Sequence, residues 1–195
     1  MSRPKEFDRE AALDRAIELF WSRGFEGTSI RDIVEATGVQ KQSLYDTFGD
    51  KHALYLAALH HYLAQTDRTI AKLNDTGPST VTILRGVLHG LATATCSGPR
   101  GCMLVQAVGE LGPHDPAIGE LAHTNVVALE KALAGLLRRG QSRGEIREDV
   151  SPRGAARMLI TIMWGARSLG RGGVDEPWLR SALDHVLGTV AAPKT

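Results

Sequence analysis

Apolar residues recur at helical spacing near the start of the chain and predict a first helix. They are three or four positions apart, the interval that places side chains on one face of an α-helix. The stripe consists of Leu13, Ala16, Ile17 and Phe20, with Trp21 beside it. Gly24 follows within about one turn and is expected to end the helix, because glycine enters the left-handed conformation at little steric cost.

A shorter apolar pattern predicts a second helix. Its inward face is Ile30, Ile33 and Val34. Either Thr28 or Ser29 is expected to cap its start, and residues 29–32 fit a loose capping box, in which a serine and an acidic residue exchange hydrogen bonds. Gly38 follows at the position where a left-handed glycine ends a helix.

A third helix, from about residue 40 to residue 48, has a polar outer face. Leu44 and Phe48 lie one turn apart and are expected to point inward. The outward side chains are Gln40, Lys41, Gln42, Ser43, Tyr45 and Thr47. Such amide, ammonium and hydroxyl groups contact DNA phosphates and base edges, and a helix-turn-helix places its second helix in the major groove. An ordinary solvated helix face has the same composition, so this row alone does not decide between the two.

Helical spacing continues through the rest of the chain, without an internal repeat or a segment of strand period. Breaks rich in glycine and proline separate the expected helices. The fourth helix is expected to begin at Asp50, a good N-cap, and to run to about Asn74. The pattern predicts an all-α protein of about nine helices, with a three-helix domain in residues 1–52 and a larger bundle in residues 53–195.

The segment that contains the first three helices is similar to the DNA-binding domain of TetR-family transcriptional regulators. The similarity covers residues 8–56 without a gap. The matching stretches are Phe20-x-x-x-Gly24-Phe25-x-x-Thr28-Ser29-Ile30-x-x-Ile33, then Gly38-Val39, then Leu44-Tyr45-x-x-Phe48-x-x-Lys51-x-x-Leu54. The resemblance implies a regulator with an N-terminal helix-turn-helix domain for DNA and a C-terminal helical domain for effector binding and dimerisation.

The resemblance implies DNA contacts from the third helix and its flanks. The Tyr45 ring would lie against the sugar-phosphate backbone, and Lys51 would bind a phosphate together with backbone N–H groups of the fourth helix. Arg3 and Lys5 would also flank the phosphates. The expected DNA-contacting residues are Thr28, Arg31, Gln40, Lys41, Gln42, Ser43, Tyr45, Thr47 and Lys51. Asp46 replaces a frequent aromatic or basic residue, so it either accepts a hydrogen bond from a cytosine amino group or turns away from DNA.

The charge of the N-terminal segment does not match that of a simple DNA-binding domain. The whole chain has a formal net charge of +1, and residues 1–52 carry eight cationic and ten anionic side chains. A basic patch is the usual electrostatic mark of a DNA-binding domain. We therefore expect a small local positive patch and modest non-specific affinity for DNA. The acidic balance also leaves open a dimeric interaction protein that has lost DNA binding.

The last two predicted helices are apolar on most sides, which is typical of buried helices. The resemblance implies that they pack against the same helices of a second chain. The expected homodimer interface comprises Met163, Trp178, Leu179, Leu183, Val186 and Leu187. Twofold symmetry would then present two recognition helices to the half-sites of a pseudo-palindromic double-stranded DNA operator, about one DNA turn apart.

The resemblance also implies that a small-molecule effector enters the C-terminal bundle of a repressor and regulates DNA binding. The effector must bind the DNA-incompetent state more tightly, because only a difference in affinity shifts the population. Position and size suggest a pocket between the middle helices of the bundle. The residues expected to contact the ligand are Leu88, Cys102, Met103, Gln106, His123 and Trp164.

Cys102 is also a candidate sensor of oxidants or electrophiles. It is predicted at the N-terminus of a short helix, two residues after Arg100, and both features raise the reactivity of a thiol. Some TetR-family members sense such compounds through a cysteine in this region, and Cys96 would be a resolving partner. The alternative is that Cys102 is a small buried apolar residue.

Other classes of protein find little support in the sequence. No apolar run approaches the length of a transmembrane helix and the N-terminus has no apolar signal segment, so we expect a cytoplasmic protein without a membrane partner. The histidines show no metal-ligand spacing, and Glu110, Asp115 and Glu120 are expected to be solvated. An enzyme or carrier would need a convergent acid–base or nucleophile constellation. The sequence shows none, so we expect neither catalytic residues nor a cofactor.

Overall fold

The computed structural model describes residues 7–64, 67–97 and 101–193, and this part of the chain is almost entirely α-helical. Its helices are α1 (Arg9–Arg23), α2 (Ile30–Thr37), α3 (Lys41–Phe48), α4 (Lys51–Ala64), α5 (Asp67–Leu73), α6 (Thr80–Cys96), α7 (Met103–Leu111), α8 (Pro116–Ser142), α9 (Pro152–Arg171) and α10 (Glu176–Val190). Within these residues, no helix is long and apolar enough to cross a membrane. The prediction of an all-α fold with an N-terminal helix-turn-helix is confirmed.

The limits of α1 and α2 coincide with the residues that the sequence singles out. The amide N–H of Gly24 donates to the Phe20 carbonyl at the end of α1, and Gly24 has a φ of 81°. Ser29 caps α2 through a complete capping box, in which the Ser29 N–H donates to the Asp32 carboxylate at 2.8 Å. Gly38 ends α2 in the left-handed conformation with a φ of 69°. Of the two cap candidates, Ser29 is therefore the N-cap.

The fourth predicted helix corresponds to two helices. The Asp50 carboxylate accepts a hydrogen bond from the Ala53 N–H at 2.8 Å, so Asp50 caps α4 as expected. α4 ends at Ala64 and α5 begins at Asp67, with residues 65–66 between them outside the described part. The sequence there is Thr66-Asp67, and both residue types favour helix starts. The described residues therefore contain ten helices.

Two hydrophobic cores hold the helices together. The first joins α1–α4, called the head below, with α7 and the start of α8. The second joins α5, α6, α8, α9 and α10, called the bundle together with α7. Met103 and Ala107 of α7 and Ile118 of α8 are buried in the first core, so the bundle packs directly against the head. The division of the chain at residue 52 remains a prediction.

Four of the six residues predicted at a dimer interface lie instead in the core of the single chain. Met163, Leu179, Leu183 and Leu187 are each at most 4% exposed and belong to the second core. Side chains at this depth cannot contact a second chain, so these four assignments are wrong. Of the other two, Trp178 is 56% exposed and Val186 is half-buried. The error arises because α9 and α10 carry apolar residues on more than one face, and spacing does not show which face packs inward.

Candidate nucleic-acid interface

A small number of buried residues holds α2 and α3 in the head. Ile33 of α2 and Leu44 of α3 are each at most 1% exposed and pack in the first core. Leu44 is the only fully buried residue of α3, which has 8 residues. An isolated helix of this length is marginal in water, so packing around Leu44 and not intrinsic propensity keeps α3 in place. The rest of its surface is left for contacts with another molecule.

The outer face of α3 presents the polar row that the sequence predicts. Its exposed or partly buried side chains are Gln40, at the N-cap position without a capping hydrogen bond from its side chain, and Lys41, Gln42, Ser43, Tyr45 and Thr47. The Lys41 ammonium lies 5.4 Å from the centre of the Tyr45 ring, within the range of a cation–π contact. Gln42 Nε2 donates a hydrogen bond to Asp46 Oδ1 at 2.8 Å. The Asp46 carboxylate is therefore engaged by a side chain of its own helix.

Two residues predicted to contact DNA precede α3 and have opposite environments. Arg31 lies on the exposed side of α2, with 87% of its side chain accessible, and its Nε donates to Glu35 at 2.9 Å. The hydrogen bond and charge of Glu35 raise the pKa of Arg31. Thr28 is fully buried, and its hydroxyl donates to the Gly24 carbonyl at 2.7 Å. Because this side chain stabilises the loop between α1 and α2 from inside, its assignment as a DNA contact is wrong.

Lys51 lies at the start of α4, beside the loop between α1 and α2. Its ammonium is 4.2 Å from the centre of the Phe25 ring, a cation–π contact. Within the described part of the chain, neither Lys51 nor Lys41 forms an ion pair with a carboxylate. Both ammonium groups are therefore available to a phosphate. Arg3 and Lys5 lie outside the described residues.

Several acidic side chains of the head are engaged within the head itself. Asp8 caps α1, and Asp50 caps α4. Asp32 is bound by Ser29 and lies 3.0 Å from the Arg23 guanidinium. Hydrogen bonds from Ser29, followed by those from Arg23, hold the pKa of Asp32 below its usual range. The excess of anions in the head therefore does not create an acidic surface on α3.

Two carboxylates of the bundle, both expected to be solvated, bind the head instead. Glu110, near the end of α7, accepts hydrogen bonds from the backbone N–H groups of Phe25 at 3.0 Å and Glu26 at 2.8 Å. Asp115, the N-cap of α8, lies 2.6 Å from His52 Nε2 at the start of α4. The hydrogen bond to His52 holds the pKa of Asp115 below its usual range. These contacts join residues 63 to 85 positions apart, so no local pattern could indicate them.

Cys102 forms a polar cluster with Tyr62 of α4 and Arg167 of α9. Cys102 is the N-cap of α7, and the Tyr62 hydroxyl donates to its Sγ at 3.7 Å. Arg167 interacts with both the phenol and the thiol. Burial, followed by the proximity of Cys102, raises the pKa of Tyr62 far above its usual value. Arg100, the cation expected near Cys102, lies outside the described residues. Arg167, which is 65 positions further along the chain, is the cation that interacts with the thiol.

The six residues predicted to contact a ligand have different environments in the part of the chain that the structure describes. Leu88 is buried in the second core and Met103 in the first. His123 is exposed on α8, and Trp164 packs against the second core. Gln106 accepts a hydrogen bond from the guanidinium at the end of α9. Leu88 and Met103 therefore lie in different cores, and a shared pocket for these residues stays a prediction.

Two grooves of the described structure adjoin the bundle helices, and they differ in size. One, of about 580 Å³, lies between α4, α5 and α8 and includes Leu56, His60 and Leu121. A smaller one, of about 220 Å³, lies between α5, α6 and α9 and includes Lys72 and Arg167. Small-molecule sites typically occupy about 300–1,000 Å³, so the larger groove has the ordinary size. Neither groove contains the residues that the sequence assigned to a ligand.

A three-helix unit whose third helix exposes a polar face, followed by a larger helical bundle, is typical of a helix-turn-helix DNA-binding regulator. A model of the bacterial regulatory proteins of the tetR family matches residues 12–58. A model of the Tetracyclin repressor-like C-terminal domain matches residues 73–186. The chain belongs to the TetR family and is a DNA-binding transcriptional regulator.

Similar proteins support this membership over nearly the whole chain. The HTH-type transcriptional repressor ComR of Escherichia coli (strain K12) is 34% identical over 179 residues, which cover 89% of this chain and 84% of ComR. The HTH-type transcriptional regulator YezE of Bacillus subtilis (strain 168) is 33% identical over 82% of this chain and 84% of its own length. A cysteine-substituted CifR solved with 26-base-pair operator DNA is 29% identical, with a TM-score of 0.82 over 95% of this chain and 98% of CifR.

Proposed function

We propose that this regulator is a repressor that binds a pseudo-palindromic DNA operator as a homodimer in the cytoplasm. The exposed polar face of α3 is the observation that carries the proposal, because it offers amide, hydroxyl and ammonium groups that no core packing requires. The name of ComR describes a repressor, and CifR has been solved on its operator. Both similarities support the same type of action here.

The proposed contacts divide into base readout and phosphate binding. Gln40, Gln42, Ser43 and Thr47 would reach base edges in the major groove from the recognition helix α3. The phosphate contacts would be Arg31, Lys41, Tyr45 and Lys51. In the free protein, Gln42 donates a hydrogen bond to the Asp46 carboxylate. Asp46 therefore has a partner within α3 and need not approach a phosphate. Thr28 is left out of the proposed contacts because its side chain is buried.

The proposed dimer surface is the outer side of α9 and α10. Leu169 is 44% exposed and Trp178 is 56% exposed, although both are large apolar residues. Ile162 and Val186 are half-buried on the same two helices. Covering these side chains with a second chain would remove apolar area from water, at about 25 cal/mol per Å². An isologous interface of this kind gives the twofold symmetry that a pseudo-palindromic operator needs.

We also propose that residues 1–52 bind DNA and residues 53–195 bind an effector and dimerise. The groove between α4, α5 and α8 is the preferred effector site, because it has the usual size and α4 belongs to the head core. A small molecule there would contact the head and the bundle together. It would weaken DNA binding only if it binds more tightly to the arrangement of head and bundle that cannot bind DNA than to the arrangement that can.

Binding to a selected operator tests the proposed DNA function. The full chain is used to enrich double-stranded DNA from a random library, and affinity is then measured against salt. Lys51→Ala should weaken binding to operator and random DNA alike and reduce the salt slope by about one. Gln42→Ala should relax preference at one base pair, and Lys131→Ala, on α8, should change nothing. Unchanged binding in both head variants would refute the assignment of α3.

The Cys102 cluster supports a second candidate, regulation by an electrophile or oxidant. Arg167 interacts with both the Cys102 thiol and the Tyr62 hydroxyl, so the sulfur lies beside a cation and a polar group and not in a purely apolar environment. The CifR operator complexes involve cysteine-substituted variants. Cys96 lies near the Val174 carbonyl, at 3.6 Å, and both cysteines are free thiols in the structure.

Alkylation rates measured beside operator release test this second candidate. Iodoacetamide should modify Cys102 in the folded protein, with a carbon–sulfur bond forming as iodide leaves, and operator binding should fall in step. Cys102→Ser should keep operator binding and lose the response, whereas Cys96→Ser should retain a response. If Cys102 reacts only after unfolding, it is a packing residue and a non-covalent effector remains the proposal.

A further inference from the structure

We propose that Glu110 and Asp115 form a two-armed clamp that sets the orientation of the head relative to the bundle, and so the spacing between the two recognition helices of a dimer. The inference rests on the proposed function as a dimeric DNA-binding protein. It assigns a positioning role to residues that touch neither DNA nor an effector. Its basis is a set of polar contacts between the α7–α8 corner and two different segments of the head.

The first arm is the Glu110 carboxylate. One of its oxygens accepts from the Phe25 N–H and the other from the Glu26 N–H, so both oxygens are committed to adjacent backbone donors. Hydrogen bonds to an ionised acceptor are shorter and stronger than neutral ones. The preceding residue, Gly24, leaves room for the carboxylate. A Cβ at Gly24 would lie 2.7 Å from Glu110 Oε2, so a larger residue would displace this arm.

The second arm is the Asp115 carboxylate. Its Oδ2 is 2.6 Å from His52 Nε2, while its Oδ1 accepts from the Ala117 N–H at 3.0 Å as the cap of α8. The Asp115 side chain is only 15% exposed, so solvent competes little with the contact. Since one oxygen is fixed to α8 and the other to α4, Asp115 links the long bundle helix directly to the first turn of α4.

The two arms end on residues that contact each other and the proposed phosphate-binding lysine. The ring centroids of Phe25 and His52 are 6.1 Å apart in an edge-on arrangement. The Lys51 ammonium lies over the same Phe25 ring. The clamp therefore holds the loop before α2 and the start of α4 at one point of the head. A displacement of the α7–α8 corner would be passed to both sides of the recognition helix.

The apolar contact between the head and the bundle has no preferred direction, and the clamp adds hydrogen bonds that do. Met103, Ala107 and Ile118 already pack against the head core, and burial of such side chains favours association without selecting one angle. Hydrogen bonds have strict distance and angle requirements, so two arms at different places resist rotation. Loss of either arm should leave the head folded and bound to the bundle, with a wider range of angles.

If the clamp orients the heads, its loss should make the dimer less able to distinguish operators with different half-site spacing. A general loss of stability would not have this effect. A dimer with fixed heads matches one separation between half-sites, and an inserted base pair both rotates and displaces the second half-site. We therefore compare affinity for a selected operator with affinity for operators that contain one extra or one missing central base pair. The proteins are the wild type, Glu110→Gln, Asp115→Asn and the control Glu120→Gln, an exposed acid of α8.

The wild type and Glu120→Gln should prefer the selected spacing, and Glu110→Gln and Asp115→Asn should reduce this preference about tenfold. Asparagine remains a good N-cap, so Asp115→Asn should keep α8 intact. Hydrogen exchange gives a second measurement that needs no DNA. In Glu110→Gln, the amides of Phe25 and Glu26 should exchange about tenfold faster, while amides of the head core are unchanged.

The possible results separate the clamp from the proposed function. Faster exchange at Phe25 and Glu26 with unchanged spacing preference in both variants would show that the contacts exist but do not orient the heads, which overturns the proposal. A wild-type protein that enriches no operator would overturn the proposed function, and the clamp with it. If Glu110→Gln fails to fold, Asp115→Asn decides the matter, since it alters the other arm.

Discussion

The head and the last two helices of the bundle differ in how apolar residues are distributed around their helices. In α3, Leu44 is buried and Phe48 packs against the first core, while the other side chains carry polar groups, so the sequence separates an inward side from a polar outer face. In α9 and α10 apolar residues lie on more than one face, and four of the six residues predicted at a dimer interface belong to the inner row. A helical pattern therefore identifies an exposed surface well where the two faces differ in chemistry, and poorly where both are apolar.

The most damaging change should be a charge on the inner row of α10. Leu183 is 1% exposed, so Leu183→Asp places a carboxylate among apolar side chains without a partner. The loss of packing and the buried charge should cost about 4 kcal/mol or more, a large part of the stability of an ordinary domain. Circular dichroism should show an unfolded or much less stable protein at 25 °C, whereas Leu183→Met should melt close to the wild type. A stable Leu183→Asp variant would contradict the assigned core.

A charge on the outer side of the same helix should act on assembly and spare the fold. Trp178 is 56% exposed, so Trp178→Glu loses little packing within one chain. If Trp178 is covered by a second chain, its loss should weaken the dimer by about 2 kcal/mol or more, as expected for a central aromatic residue of an interface. Light scattering against concentration gives the dissociation constant, with Lys131→Glu on α8 as the control. An unchanged dissociation constant would show that the dimer interface lies on another face.

Removal of the Asp46 carboxylate should strengthen DNA binding. Asp46 is the one acidic side chain on α3, and it is bound by Gln42. Without a negative charge near the phosphates, Asp46→Ala should bind random DNA more tightly by up to about 1 kcal/mol, roughly fivefold, at low salt. Fluorescence anisotropy with Glu148→Ala as a distant acidic control measures the change. A weaker interaction would instead show that Asp46 accepts a hydrogen bond from a base.

The smallest expected effect is the acid dependence of the Asp115 contact. His52 holds the pKa of Asp115 below its usual range, so the folded protein favours the carboxylate more than the unfolded chain does. This stabilisation is present above the unfolded pKa of about 3.9 and is lost as the pH falls through the lower folded value. Urea unfolding at pH 5 and pH 3 should therefore show a smaller acid loss for Asp115→Asn than for the wild type, by less than about 1 kcal/mol. Equal losses would contradict the contact.

The features that the sequence predicts correctly are local. The cap residues Ser29 and Asp50, the glycines that end α1 and α2, and the polar face of α3 each follow from a few neighbouring positions. The features that it missed are long-range. Glu110 and Arg167 acquire their roles only when α7 and α9 pack against the head, and nothing in their own neighbourhoods in the chain marks them.

Other expectations differ from the structure because the burial of a side chain depends on all neighbouring helices at once. Thr28 is a polar residue of a family motif, but its hydroxyl bonds to a backbone carbonyl inside the head. Leu88 and Met103 have the size of ligand-contacting residues, but they lie in different cores. In each case the residue type permits two environments, and only the packed structure distinguishes them.

Selection of bound DNA from a random double-stranded library tests the central claim most directly. The full-length wild-type protein should enrich a pseudo-palindrome whose half-sites lie about one DNA turn apart. A variant with alanine at Gln40, Gln42 and Ser43 should enrich no common sequence but still bind DNA at low salt through Lys41 and Lys51. Enrichment of the same sequence by this variant, or no enrichment by the wild type, would contradict the assignment of α3 as the recognition helix.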